Sequence, residues 1–295
     1  MKTCNMRTVL PSLHHLLKAL ALTAGCLLAA PSTAQIQPVV NDSLDVTRTV
    51  TNAQMVAFGA ANILDTYLSP EKYKGVDMRY ITHTLREYPG RKWAHQLIHE
   101  GSFASGNDRN EKNSMMAGYY HFNFAKLRGW RWPDKRLTIR AGGMADFIIG
   151  GTYNASNQNN PAQLRFSMAL GATASAEYGF HMINKAFTLR YELAVPLIGL
   201  MFSPNYGQTY YEIFSLGHKD HNIVGTTPFC APSMRQMLAL DTHFRRTTLR
   251  IGYLGDYQQA EVNNLKQHFY THALVIGLVH HFHIKNISSS ISHTR

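Results

Sequence analysis

One segment near the end of the chain constrains the fold more than any other, because His268 to Lys285 alternates between two kinds of residue over its whole length. One face carries Tyr270, His272, Leu274, Ile276, Leu278, His280, Phe282 and Ile284, and the other carries Phe269, Thr271, Ala273, Val275, Gly277, Val279, His281 and His283. The first face is large and apolar, whereas the second is smaller and mixed. Strands in soluble sheets are usually about five or six residues long. A strand of this length therefore predicts a span across a membrane.

Aromatic residues mark the two ends of the apolar face of this segment. Tyr270 and Phe282 are twelve positions apart, which at about 3.3 Å per residue and a tilt near 40° separates them by roughly 30 Å in height. This separation matches the apolar band of an outer membrane, which aromatic residues flank on both sides. The segment therefore predicts that the chain resides in the outer membrane.

The N-terminus has the features of an export signal. Lys2, Arg7 and Lys18 precede the apolar run from Ala19 to Ala30, and Ser32-Thr33-Ala34 supplies small residues where a signal peptidase reads them. We therefore expect a signal peptide over residues 1–34, cleaved after Ala34. A membrane-anchoring helix is one alternative, but it needs about 20 apolar residues and this run is shorter.

A lipid-anchored protein is a second alternative for the N-terminus. Leu22 to Cys26 resembles a lipobox whose leucine stands one place too early. Cys4 and Cys26 both lie in the export signal, so Cys230 alone remains in the mature chain. No internal disulfide can form from a single cysteine, and the mature fold must be stable without one.

The chain is basic, with a formal net charge of +11. All 18 acidic residues lie beyond the export signal, which removes three of the 29 basic ones. A basic surface suits contact with lipid phosphates, and export argues against nucleic acid as a partner. We expect outer-membrane lipids and lipopolysaccharide as partners. The barrel-assembly machinery is a further expected partner, for which Phe282 would serve as an internal aromatic signal.

The mature chain has no segment that resembles a membrane helix. A chain that crosses the bilayer must then do so as a closed barrel, because open sheet edges cannot be satisfied in lipid. We divide the mature chain into a polar lead at 35–53, an outer-membrane β-barrel at 54–285 and a C-terminal tail at 286–295. Alternation predicts strands near 54–64, 75–86, 93–103, 114–126, 137–149, 164–180, 187–193, 234–244, 249–257 and 268–285. Two of the intervening polar connections are 128–136 and 258–266.

Parity limits the number of strands, since single-chain bacterial barrels have an even number, with both ends in the periplasm and longer loops outside. Counted from either end of the chain, the segment 196–233 begins and ends outside. It contains the extended-looking Tyr206 to Phe214, and it forms either one long loop or an extra pair of strands. We prefer an all-β, antiparallel, up-and-down transmembrane β-barrel of ten strands, with twelve as the alternative. The aromatic loop 196–233 would then lie at the mouth or in the lumen.

Three sequence landmarks point to a known family. They are Leu64 to Pro70, Asn159-Asn160-Pro161, and the long motif Phe202 to Glu212. Together they resemble Domain of Unknown Function 3316, an uncharacterised exported family of Bacteroides-type bacteria. The resemblance implies a barrel-like outer-membrane protein, and it supplies no activity, cofactor or site residue.

The aromatic loop offers the best candidate for function. Tyr206, Tyr210, Tyr211 and Glu212 could stack against a sugar ring or restrict a pore, or they could serve only to plug and rigidify the lumen. We expect a channel, binding or structural protein with no catalytic residues, no metal and no cofactor. The histidine pairs His281 with His283 and His95 with His99, and the cluster at 218–221, lack the spacing typical of metal sites.

Two alternatives to this function remain open. One is a lipid-modifying outer-membrane enzyme, a hydrolase or deacylase, which needs a serine within reach of a base. The mature chain has no His-x-Ser pair of the kind found in barrel lipid hydrolases, and the serine–histidine spacings at 292–293 and 215–218 differ from it. The second alternative is a soluble or lipid-anchored periplasmic β-protein.

Overall fold

A computed structural model describes residues 46–157, 160–183, 185–244 and 247–285. The expected signal peptide, the lipobox-like segment and the C-terminal tail lie outside the described residues. The strands are β1 (Val46–Asp65), β2 (Ser69–Glu87), β3 (Trp93–Asn107), β4 (Ser114–Trp132), β5 (Leu137–Asn154), β6 (Ala162–Met182), β7 (Lys185–Phe202), β8 (Ile223–Thr226), β9 (Met234–His243), β10 (Thr248–Val262) and β11 (Leu265–Lys285). One α-helix, α1, spans Tyr210–Phe214, and a 3₁₀ turn spans Pro133–Lys135.

The sheet closes on itself. β1 pairs with β11 from Val46 opposite Lys285 to Asp65 opposite Gln267, and the other wall strands pair antiparallel in chain order, with β7 next to β9. The short β8 pairs only with the outer end of β7. The wall therefore has ten strands, which confirms the preferred barrel and shows that the twelve-strand alternative is wrong.

The two ends of the barrel differ in their connections. The end that holds the start of β1 and the end of β11 has the short connections 88–92, 133–136, 183–184 and 244–247. The opposite end carries the long connection 203–233. By the rule that barrel termini face the periplasm, the long loop is extracellular, as the parity count predicts.

The two alternating faces of β11 lie in different environments. Leu274, Ile276 and Phe282 are exposed on the outside of the barrel, whereas Phe269 and Val275 are buried inside it. The exterior of the wall is thus apolar and suited to acyl chains, while charged residues lie buried in the interior. This arrangement is that of a membrane-spanning barrel, whose lipid face is apolar and whose lumen is polar.

The strands extend further than the apolar alternation indicates. β1 begins at Val46, so part of the polar lead 35–53 belongs to the wall, and β4 continues through Trp132 into the expected connection 128–136. The backbone of a closed barrel gains ladder hydrogen bonds beyond the apolar band. Polar and aromatic residues at headgroup height therefore remain in strands.

The prediction of a polar loop at 258–266 is wrong. β10 runs to Val262, β11 begins at Leu265, and only Asn263 and Asn264 connect them. Both asparagines have positive φ, 50° and 59°, which is the backbone of a two-residue type I′ hairpin turn. Asparagine tolerates this conformation, so the pair is a turn signal inside a continuous hairpin.

The expectation of an extended Tyr206–Phe214 is also wrong. Residues 210–214 form α1, and its first turn is closed by a capping box in which the Thr209 hydroxyl accepts from the Glu212 amide while Glu212 accepts from the Thr209 amide. Such reciprocal capping satisfies two amides that a helix start leaves free. In the part of the chain that the structure describes, no helix is long and apolar enough to cross a membrane.

Candidate functional site in the barrel lumen

A buried arginine organises the middle of the lumen. Arg79 is 1% exposed, and its guanidinium donates to Asp77, Glu100 and Asp256 at 2.6 Å each. It also donates to the Thr271 hydroxyl at 2.7 Å. These groups come from β2, β3, β10 and β11, which the closure of the barrel brings together.

We define the central cluster as Asp77, Arg79, Glu100, Arg235, Asp256 and Thr271. Arg235 from β9 joins it by binding the second oxygen of Glu100. Two cations and three carboxylates thus share one small volume. Desolvating such charges is costly, and only close pairing and further hydrogen bonds compensate. The cluster is therefore sensitive to the loss of any one partner.

A second network crosses the lumen nearer the periplasm. We define the periplasmic chain as Glu87, Arg140, Glu177, Arg190 and Glu192. Arg140 bridges Glu87 and Glu177 at 2.9 and 2.5 Å, and Arg190 bridges Glu177 and Glu192 at 2.7 and 3.2 Å. The alternating charges form a continuous line from β2 to β7 across the interior.

A histidine–aspartate pair lies in the same interior. His121 Nε2 is 2.6 Å from Asp146 Oδ1, and Asn123 donates to the same oxygen at 2.8 Å. His83 on β2 lies with its Nδ1 3.6 Å from Glu192. Among the described residues, no serine hydroxyl is hydrogen-bonded to a histidine ring, and the amides of Ser215 and His218 bond to the carbonyls of Tyr211 and Glu212.

A cavity in the lumen is lined by Arg235 and Asp256 of the central cluster and by Glu192 of the periplasmic chain, and it extends to the extracellular loop. Its volume is about 1140 Å³, which includes the part open to solvent. Its lining includes the charged or titratable residues His83, His121, Asp146, Arg165, Glu192, Arg235 and Asp256, and the amides Gln96, Asn123, Gln236, Gln258, Gln259 and Gln267. Apolar side chains such as Met55, Ile98 and Met237 complete the lining, so polar and apolar groups face the same space.

Three nitrogens of residues that line the cavity have no hydrogen-bond partner among the described residues. They are His83 Nε2, His121 Nδ1 and Arg235 Nε. Buried polar atoms are normally paired. These three nitrogens are therefore unpaired polar atoms buried in the wall of the cavity.

The extracellular loop 203–233 covers part of the mouth. Asn263, in the β10–β11 turn, donates to the carbonyls of Ser203, Pro204 and His221. The buried Asn222 donates to the Ser203 carbonyl and to the Gln208 side chain. The loop is thus attached to the barrel by amide side chains and reaches the cavity through Thr226, Ala231 and Ser233.

The four binding candidates have different surroundings. Tyr206 and Tyr211 are exposed on the loop. Tyr210 is half-buried and accepts a 2.7 Å hydrogen bond from the Leu164 amide, and Glu212 is occupied by the capping box. The structure therefore leaves Tyr206 and Tyr211 free for an external contact, while Tyr210 and Glu212 hold the loop together.

The docking of Tyr210 alters its acidity. Burial raises the pKa of Tyr210 from 10.0 to about 12, with smaller contributions from Tyr67 and Asp65. Its ring packs edge-on against Tyr67 at 5.8 Å and stacks on Phe214 at 5.8 Å. The neutral phenol is thus the form that the docked loop favours.

The histidine groups noted in the sequence have other partners. His281 and His283 lie near Thr51 and Thr49 at 3.1 and 3.4 Å. His99 is on the exterior, 2.6 Å from the Tyr120 hydroxyl. Within the described ranges, no group of three histidine, cysteine, aspartate or glutamate residues is arranged to hold a metal ion.

The interior networks were not among the sequence candidates, although a signal for them exists. In β2 the charged Asp77 and Arg79 alternate with Val76, Met78 and Tyr80. Charges opposite a lipid-facing side must point into the lumen. The same test marks Glu100, Asp146 and Asp256, but it does not reveal which charges meet.

Comparison with known proteins places the chain in context. The model of the family described as Protein of unknown function (DUF3316) matches residues 18–288, which confirms the resemblance seen in the sequence. No curated protein matches the chain.

Several solved structures are similar at low identity. An outer-membrane channel from Pseudomonas putida F1 has 10% identity and a TM-score of 0.36, with 84% of this chain and 100% of that chain covered. The transport unit of the autotransporter AIDA-I from Escherichia coli has 7% identity and a TM-score of 0.42, covering 85% and 94%. The outer-membrane protease OmpT from Escherichia coli has 8% identity and a TM-score of 0.39, covering 82% and 99%. These identities are too low to carry any of the activities over to this chain.

Replacement of Arg79 by methionine is predicted to destabilise the barrel by about 3–5 kcal/mol, because it leaves buried carboxylates without their cation. The measurement is urea unfolding of the folded protein in detergent micelles. Arg109→Met is the control, since Arg109 is exposed in the loop after β3, and we expect it to change stability by less than about 0.5 kcal/mol. Equal stability of the two variants would contradict a structural role for the central cluster.

Tyr210→Phe is predicted to reveal a pH-dependent contribution of the loop. Because the folded-state pKa of Tyr210 is raised to about 12, its stabilisation is complete below about pH 10 and is lost as the pH rises through 12. The difference in unfolding free energy between the natural protein and Tyr210→Phe, about 1 kcal/mol below pH 10, should fall over that range. Tyr211→Phe is the matched control, and the same pH dependence in both variants would rule out Tyr210 as its source.

Proposed function

We propose that this chain, which belongs to the family described as Protein of unknown function (DUF3316), takes small neutral polyhydroxy solutes of the sugar type into its lumen. The proposal treats the protein as an outer-membrane binding barrel or channel without catalysis. The observation that carries it is the cavity in the lumen, whose lining includes six amide side chains beside charged ones.

The chemistry of the wall supports a solute that both donates and accepts hydrogen bonds. Amides such as Gln96, Gln258 and Gln267 offer one acceptor and two donors each. Carboxylates of Asp146 and Glu192 accept, and Arg235 donates. Adjacent hydroxyl groups of a sugar have the same mixture of donors and acceptors, so one solute could engage several wall residues together.

The charge of the wall supports a neutral solute. Arg165 and Arg235 contribute two cations to the lining, while Asp146, Glu192 and Asp256 contribute three carboxylates. Most of these groups are already paired within the wall, as Arg235 is with Glu100. A strongly charged solute would meet groups of its own sign and compete with existing ion pairs, whereas a neutral one would not.

The mouth offers a first contact for such a solute. Tyr206 and Tyr211 are 75% and 65% exposed on the extracellular loop. A tyrosine ring presents an apolar face together with a polar hydroxyl, which suits the alternating faces of a sugar ring. Solute would then move from these rings past the loop residues Thr226 and Ser233 into the cavity.

Passage beyond the cavity requires a change in the periplasmic chain. Arg140 and Arg190 span the interior between carboxylates from β2, β6 and β7. We propose that these ion pairs form the barrier on the periplasmic side. Binding in the cavity and passage through the barrel are therefore separate properties, and they are measured separately.

The biogenesis of the protein completes the proposal. We propose export through the signal at residues 1–34 with cleavage after Ala34, and insertion by the barrel-assembly machinery. Lipopolysaccharide would surround the extracellular half of the barrel. The exposed apolar exterior, with Leu274 and Ile276 at its middle, supports a lipid environment.

The experiment compares two substitutions on the same strand. Ser167 lines the cavity, whereas Met168, its neighbour on β6, is exposed on the exterior. We expect purified natural protein to bind mono- or disaccharides by calorimetry, with uptake into proteoliposomes measured by swelling. Ser167→Phe should reduce binding at least about 10-fold by filling the cavity, and Met168→Phe should leave binding unchanged.

Each outcome bears on the proposal. Binding without swelling would indicate a closed periplasmic barrier and a binding role. Neither binding nor swelling would overturn the proposal in favour of a structural barrel. Release of fatty acid from labelled phospholipid or lipopolysaccharide would overturn it in favour of the lipid-modifying alternative.

A further inference from the structure

All three tryptophans of the chain lie at one rim of the barrel. Trp93 begins β3, and Trp130 and Trp132 end β4, all at the periplasmic end. Each is exposed, by 46%, 41% and 41% respectively. Tryptophan favours the level where acyl chains give way to headgroups, so this rim lies at the inner surface of the outer membrane.

Cations accompany these tryptophans. Six exposed basic residues lie on the periplasmic ends of β2 to β4 and the turns between them: Arg86, Arg91, Lys92, Lys126, Arg128 and Arg131. The nearby carboxylate of Glu87 is partly buried and already bound by Arg131 and Arg140. Asp134, in the turn after β4, is an exposed acidic residue. This sector of the rim is therefore strongly cationic.

The extracellular end of the same strands is less strongly basic. Its exposed charged residues are four basic and two acidic ones: Lys72, Lys74, Arg109, Lys112, Glu71 and Glu111. The excess of exposed positive charge on these strands is thus larger at the periplasmic end. A surface made basic only for solubility would not require this separation.

The cations and the aromatic rings form defined pairs. Lys126 Nζ lies 5.2 Å from the centre of the Trp93 ring, and the Arg128 guanidinium lies 5.7 Å from Trp130. Cation–π contact holds a side chain over a ring face and leaves its other donors free. The charges are consequently held close to the exterior of the wall.

A groove runs between the β2–β3 turn and the end of β4. Its lining includes Arg91, Lys92, Trp93, Arg128 and Trp130. The two sides are joined by a 2.8 Å hydrogen bond from the Gly129 amide to the Lys92 carbonyl. The groove thus combines cationic and aromatic side chains, and its lining also includes Glu87, whose carboxylate Arg131 and Arg140 already bind.

We propose that this groove binds the phosphate headgroup of an anionic phospholipid in the inner leaflet of the outer membrane. Lys92, Lys126 and Arg128 contact the phosphate, and the tryptophans pack against the glycerol and the upper acyl chains. Lys126 and Arg128 share the outward face of β4 with Phe124, an exposed aromatic of the lipid-facing belt. This continuity with the belt favours a membrane lipid over a soluble acidic partner.

The test uses the tryptophans as reporters, since the chain has none elsewhere. The folded full-length protein is placed in bilayers of equal parts phosphatidylcholine and phosphatidylglycerol, with bromine on the acyl chains of one lipid or the other. Bromine quenches tryptophan on contact, and the two bilayers have the same charge. We expect stronger quenching when phosphatidylglycerol carries the bromine.

Two matched variants identify the residues responsible. The rim variant carries Lys92→Gln, Lys126→Gln and Arg128→Gln, and the control carries Lys72→Gln, Lys74→Gln and Lys112→Gln at the other end. Each lysine or arginine near a membrane surface strengthens association with anionic lipid about fivefold. The preference of the rim variant for phosphatidylglycerol over phosphatidylcholine should therefore fall by up to roughly 100-fold at low salt. The control should keep it. Heat-dependent electrophoretic mobility verifies that both variants are folded.

Three results would overturn the proposal. They are equal quenching by the two brominated lipids, equal loss of preference in the rim and control variants, and retained preference in a folded rim variant. Loss of binding to isolated peptidoglycan in the rim variant, with lipid preference intact, would assign the groove to an acidic cell-wall partner instead. The outcome is independent of solute binding in the lumen.

Discussion

The structure depends on one constraint, which is that the hydrocarbon of a bilayer offers no hydrogen bonds to the protein backbone. The contact that satisfies it is the pairing of β1 with β11, from Val46 opposite Lys285 to Asp65 opposite Gln267. Without this pairing, two long edges would lie unpaired in lipid. Closure by these two strands explains why the wall is complete at ten strands and why β8 remains a short addition to β7.

Closure also determines what the interior can contain. Alternation places every second side chain of a strand in the lumen, and the side chains between them, which are mostly apolar, face the exterior. Charged residues from distant parts of the chain then meet, as Arg79 of β2 meets Asp256 of β10. The central cluster and the periplasmic chain follow from this geometry, and members of both line the cavity. The same alternation carries Lys126 and Arg128 outward at the periplasmic rim, beside the lipid.

The sequence predicts the wall well because its signal is local. In β11, a period of two over the whole strand suffices to assign the lipid face, and parity limits the wall to ten or twelve strands. The sequence does not predict the helix α1, because it is only five residues long and the spacing of its aromatic residues also fits a strand. The partners of Arg79 escape for a different reason, since the curvature and tilt of the closed sheet decide which interior charges meet. The roles of Tyr210 and Glu212 depend on contacts across the loop, which spacing does not encode.

The most direct measurement of the central claim is the lipid exposure of β11, residue by residue, from position 270 to 282. Spin labels placed singly along the strand in bilayers report contact with oxygen, which dissolves in acyl chains. We predict a period of two, with high oxygen contact at 274, 276 and 278 and low contact at the positions between them. High contact at the odd-numbered positions, or no alternation at all, would contradict a barrel whose bulky face meets hydrocarbon.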